Sequence, residues 1–129
     1  MVPLEFRRIA EAISALPTAD RAALRDRLIT GKDDSRCPLL DDAGRCRVYA
    51  ARPLSCRSHG LPVQFEGRRD VCELNFSSGP AVHELPAEVV FSVDSANAIL
   101  GVMSLLVGDD PIARVDLFDG LSSLLEDGT

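Results

Sequence analysis

Apolar side chains recur every three or four residues at both ends of the chain and lose that rhythm in the middle. Phe6, Ile9, Ile13 and Leu16 share one face, with Arg7, Arg8 and Glu11 opposite, which predicts an amphipathic helix over 4–16. Pro17 stops it, since proline cannot continue a helical hydrogen-bond ladder. Thr18 then reads as the N-cap of a second helix over 19–29, with Asp20 in its first turn, Ala23, Leu24 and Leu28 inward, and Gly31 at its C-terminus. From Pro86 the spacing returns: Val89, Val93, Ala96, Leu100, Met103 and Val107 predict a long helix, with Pro86 at its first position and Gly108 ending it. Asp110 and Pro111 open a last helix carrying Ile112, Val115, Phe118, Leu121 and Leu125. Gly120 inside it costs about 1 kcal/mol relative to alanine.

Between these ends, residues 32–82 read as irregular. Short extended pieces over 47–50 and 62–65, and one helical turn near Tyr49–Ala51, are the predicted elements. Turns are expected at Asp33–Asp34 and where Asp41 and Asp42 precede Gly44. Residues 31–80 hold only 14 aliphatic or aromatic side chains in 50. Ordering costs about 1–2 kcal/mol of backbone entropy per residue, which so polar a stretch does not offset by burial alone. Something else is expected to hold it.

Composition adds a few exclusions. A chain of 129 residues that is 46% hydrophobic and 26% charged is neither generally disordered nor collagen-like, and its length suits one domain, 1–129. A net charge of −6 argues against a nucleic-acid backbone as partner. The most apolar stretch, 98–107, is about half of a bilayer span. Glu5 stands where a secretory leader would be basic, and no apolar leader segment follows. The expectation is a cytoplasmic protein with no membrane and no nucleic-acid partner. Charge is also uneven: seven arginines against three acids between Arg36 and Arg69, then nine acids against Arg114 alone from Glu84 onward. The acidic end reads as solvated helix faces.

All four cysteines, Cys37, Cys46, Cys56 and Cys72, lie in the polar middle with spacing C-x8-C-x9-C-x15-C. Disulfides require an oxidising compartment, for which the sequence gives no sign. Separately buried thiols would pack as small hydrophobes. A shared metal or cluster would supply the missing folding energy, on the order of 10–16 kcal/mol for structural zinc. Pro38, Gly44, Pro53 and Gly60 provide turns, and the nearby arginines would favour thiolates. The spacing lacks the C-x2-C knuckles of a zinc ribbon, so it does not decide the matter by itself.

The residues from Cys37 to Arg57, Cys-Pro-Leu-Leu-Asp-Asp-Ala-Gly-Arg-Cys-Arg-Val-Tyr-Ala-Ala-Arg-Pro-Leu-Ser-Cys-Arg, resemble the YkgJ-type cysteine-cluster family, described as chelators of zinc or iron. Ser58-His59-Gly60-Leu61-Pro62 and Cys72-Glu73-Leu74-Asn75-Phe76 continue the similarity, so the cysteine motif spans 37–76. The resemblance implies a zinc ion or an iron–sulfur cluster held by Cys37, Cys46, Cys56 and Cys72. The apolar pattern predicts a mainly α fold: a small helical domain, flanking helices in 4–30 and 86–125 forming the core, and a long irregular cysteine-bearing metal-binding insert. Family members usually carry a further N-terminal C-x-x-C-C group, which this sequence lacks, and residues 2–16 resemble the helix that follows it. Either a short form with one four-cysteine site or a start codon placed too late is expected, and the upstream in-frame DNA decides between them.

Four thiolates suit tetrahedral zinc or an iron–sulfur cluster equally. His59, two residues beyond the Cys56-Arg57 pair, is expected to support the site or lie at the surface, and Arg52 and Arg57 to orient carbonyls or balance charge. No catalytic set is visible. His83-Glu84 is followed by Ala87 where a zincin needs its second histidine, Cys56 and His59 share one short loop without an oxyanion hole, and there is no phosphate loop and no C-x-x-C. The metal ion is the expected partner. An accessory role beside a modification enzyme, with a redox-active cluster and a protein partner, is the alternative.

Overall fold

Two helices open the chain where the apolar spacing places them. A computed structural model describes residues 1–31 and 35–126, and about half of the chain is helical, with five α-helices and a three-stranded sheet. The turn expected at Asp33–Asp34 lies outside the described residues. Helix α1 is Pro3–Ser14, and the Glu5 carboxylate accepts the backbone N–H of Val2 at 3.1 Å. Helix α2 is Thr18–Thr30. The expected N-cap at Thr18 is displaced by one residue: the Pro17 carbonyl accepts the N–H groups of Asp20 and Arg21, so Thr18 is already helical. Ile9, Ile13, Leu24 and Leu28 are buried, whereas Ala23, about 100° around from Leu24, is exposed.

The chain falls into two compact units, Met1–Pro53 with Ala113–Thr129, and Leu54–Ile112. In the first, α1 and α2 pack with α5, Leu117–Glu126. Its core joins Ile9, Ile13, Leu24 and Leu28 to Leu121 and Leu125, and to Leu39, Val48 and Ala51 from the polar middle. Leu39 and Val48 are only 3% and 4% exposed, so the first half of that stretch is anchored by its few apolar residues. Helix α5 starts later than Pro111. Asp110 instead closes a local turn on the Ile112 N–H, and Val115 pairs its N–H with the Met1 carbonyl at 2.9 Å. Asp116 is the cap, accepting from the N–H groups of Phe118 and Asp119 at 2.8 and 3.2 Å.

The second unit holds α3 (Leu54–Arg57), a hairpin of β1 (Val63–Phe65) and β2 (Arg68–Asp70), strand β3 (Phe91–Ser92) and α4 (Val93–Leu106). The strand order is β2-β1-β3, with β1 antiparallel to β2 and parallel to β3. Glu66 and Gly67 turn the hairpin with φ of 49° and 75°, both in the left-handed region that a tight two-residue hairpin loop uses. The long helix expected from Pro86 begins only at Val93. Ala87–Val89 forms a single 3-10 turn, Phe91 and Ser92 then pair with Val63 and Gln64, and the Ser92 hydroxyl caps α4 by accepting the Ser95 N–H at 3.2 Å. Among the described residues, α4 gives no member to the buried apolar cluster, so the core expected from 4–30 and 86–125 instead combines α1, α2, α5 and part of the middle.

Candidate metal centre

Cys37 and Cys46 stand on the two arms of one loop. The Leu40 N–H reaches the Cys37 carbonyl at 3.2 Å, Arg47 N–H the Leu39 carbonyl at 2.9 Å, and Asp41 N–H the Arg45 carbonyl at 2.8 Å, which sets Leu40 opposite Cys46 as an antiparallel bridge. Extended pairing was expected at 47–50; it falls earlier, because Val48 is buried and Tyr49–Ala51 turns helically right after it. The tip is closed by Asp41, whose carboxylate accepts the backbone N–H of Arg45 at 2.8 Å and its Nε at 3.0 Å. Those bonds, the backbone one first, hold the Asp41 carboxyl below the usual aspartate range. Arg27 ties the loop to α2 by donating to the Leu40 carbonyl, and Arg47 by an ion pair with Asp20. Both cysteines are half-buried against the core.

Cys56 and Cys72 belong to the other unit. Cys56 is exposed on α3, a single turn that the apolar pattern does not announce. Cys72 is half-buried and opens a turn in which its carbonyl accepts the N–H groups of Asn75 and Phe76 at 3.0 and 3.1 Å. The Asn75 side-chain amide donates to the Gly60 carbonyl at 3.0 Å, binding the Cys72 turn to the loop that follows Cys56. Gly60 has φ +85°, and a Cβ there would lie 2.6 Å from the Asn75 amide nitrogen, so this approach needs glycine. Asn75 carries no chemistry that sequence reasoning would single out; its signal is only its place in the Cys72–Phe76 resemblance.

The structure thus gathers the cysteine-bearing segments in two pairs, one in each unit. No disulfide joins the four cysteines. Among the described residues no three His, Cys, Asp or Glu side chains are grouped closely enough to hold a metal ion. The donor chemistry itself fits a soft ion: four thiols, one exposed and three half-buried, none sealed in the core. His59 is exposed. Arg52 lies over the Tyr49 ring, 3.6 Å from its centroid, and donates from Nε to the Tyr49 carbonyl at 3.2 Å, so it orients a carbonyl as expected. Two other arginines of the local excess are matched to carboxylates, Arg45 to Asp41 and Arg47 to Asp20.

A family model described as "Putative zinc- or iron-chelating domain", and labelled by the cysteine pattern CxxCxxCC, matches residues 4–73. That is more than half of the chain, and it takes in all four cysteines, although their own spacing is far wider than the label. No curated protein and no solved structure matches the chain. Among the described residues no helix is long and apolar enough to cross a membrane.

Proposed function

The chain belongs to this zinc- or iron-chelating family, and from that membership we propose that it binds one zinc ion or one iron–sulfur cluster through Cys37, Cys46, Cys56 and Cys72. The match over residues 4–73 carries the reading, because it spans every thiol in the chain. Two features support it. Backbone hydrogen bonds pre-arrange Cys37 with Cys46, and the Asn75 amide draws the Cys72 turn to the loop after Cys56. Segments already tied together in this way reduce the ordering entropy that an ion must overcome when it recruits four ligands. When bound, zinc would act structurally, closed by four thiolates, whereas a cluster would carry electrons. Four free thiolates suit a compartment that keeps thiols reduced, and a cytoplasmic location is part of this proposal.

A second reading, an iron–sulfur accessory or electron-transfer component serving a modification enzyme and its partner protein, draws on the exposure of Cys56. Anaerobic purification followed by metal and acid-labile sulfide analysis tests both. One zinc per chain in a colourless protein supports the structural ion. Iron with stoichiometric sulfide in a brown protein supports the cluster. A fully reduced chain that retains neither zinc nor iron, even after anaerobic reconstitution, refutes chelation.

A further inference from the structure

Helix α4 wears its apolar side chains on the outside. On a helix of 3.6 residues per turn, Ile99, Val102, Met103 and Leu106 form one stripe, and they are 61%, 58%, 45% and 81% exposed. Leu105, flanking it, is 60% exposed. The adjoining face, which carries Ala96, Leu100 and Ser104, is the covered one, and Ser104 is fully buried with its hydroxyl unpartnered. A helix that only had to stabilise its own unit would be arranged the other way round, with the large side chains inward.

We propose that this stripe is a self-association surface, on which a second copy of the chain lays its own α4. Three observations select that occupant. Beyond Asp94 in its first turn, α4 carries no charged side chain, so the stripe offers no charge for an ionic partner to match. A lipid surface calls for lysine and arginine beside the apolar face, and α4 has neither. The exposed parts of the five large side chains amount to about 500 Å² of apolar surface, the size of a functional patch, and pairing two such stripes removes at most about 1,000 Å² from water, the lower end of a specific interface. Separations of three residues (99 to 102, 103 to 106) and of four (99 to 103, 102 to 106) are those of packed helix pairs, and a two-fold axis makes the same stripe serve both partners. Antiparallel pairing also sets the two helix dipoles in opposition, which is favourable.

Sedimentation equilibrium of the full chain as purified, over a concentration series with reductant present, tests this apart from chelation, because the stripe variants leave all four cysteines in place and metal content is measured beside association. The expected result is a concentration-dependent monomer–dimer equilibrium, with Leu106→Glu and Val102→Glu each weakening association about tenfold or more while leaving the helical circular dichroism unchanged. Leu105→Glu, at the flank, weakens it less. A chain that stays monomeric throughout the series overturns the proposal, and so does a dimer that all three variants leave intact. Should a variant lose helicity, Met103→Gln, a milder polar change in the same stripe, takes its place under the same criteria.

Discussion

At the scale of single residues, a few side chains fix the geometry that the polar middle lacks on its own. Ile13 is fully buried between the helices of the first unit, so Ile13→Ala removes buried methylene groups and leaves a cavity. The expected loss is about 2–5 kcal/mol, read as a lower urea midpoint with unchanged slope. Asp41 acts locally. Its folded carboxyl titrates below the ordinary aspartate value of 3.8, so its support for the 41–45 turn is complete above that value and fades as pH falls through the lowered one. The Arg45 amide resonance should follow that titration, and in Asp41→Asn it should not; an Arg45 amide indifferent to acid would contradict the role given to this carboxylate. Gly60 and Asn75 show what a sequence hides at this scale. Their contact spans fifteen positions, and nothing in either residue type announces the other.

At the scale of elements, legibility followed the strength of the apolar rhythm. Helices α1 and α2 were readable because Ile9 and Ile13, then Leu24 and Leu28, recur at four, between the stops at Pro17 and Gly31. The start of α4 was misread because Val89 and Val93 also stand four apart, so the helical count runs straight through Phe91 and Ser92, which pair as a strand. Strand β2 is invisible in the sequence since Arg68-Arg69-Asp70 shows no alternation, and the turn at Glu66-Gly67 is likewise seen only in the structure. The paired cysteine loops were not legible either, for they rest on backbone hydrogen bonds that any residue type makes. Gly120 reverses its sequence meaning. Alanine there would favour the helix by about 1 kcal/mol, yet its Cβ would stand 2.7 Å from the Phe6 ring and 2.9 Å from Val115 Cγ1. Overpacking of this kind costs about 1–3 kcal/mol, so Gly120→Ala should destabilise by about 1 kcal/mol in urea unfolding. A more stable Gly120→Ala variant would show that Phe6 simply turns aside.

At the scale of the whole molecule, burial is lopsided. Among the described residues every buried aliphatic side chain other than proline belongs to the unit Met1–Pro53 with Ala113–Thr129, and the buried residues of Leu54–Ile112 are Pro62 and Ser104. The shortage of core expected for residues 31–80 therefore falls mainly on the later segment, which holds Cys56 and Cys72. If the proposed ion is removed by a chelator, amide exchange should quicken most in residues 54–76 and least in α1, α2 and α5. Equal acceleration along the chain would argue that the ion supports the helices as much as the loops. The first unit is also built from both sides of a long interval: Leu121 and Leu125 complete a cluster begun by Ile9 and Ile13. On the ribosome, α1 and α2 emerge before α5 and must wait, their oily faces uncovered, until it has been translated. A nascent chain stalled before Leu117 would lack that cover, making premature termination a route to aggregation and to chaperone capture rather than to a shortened working protein.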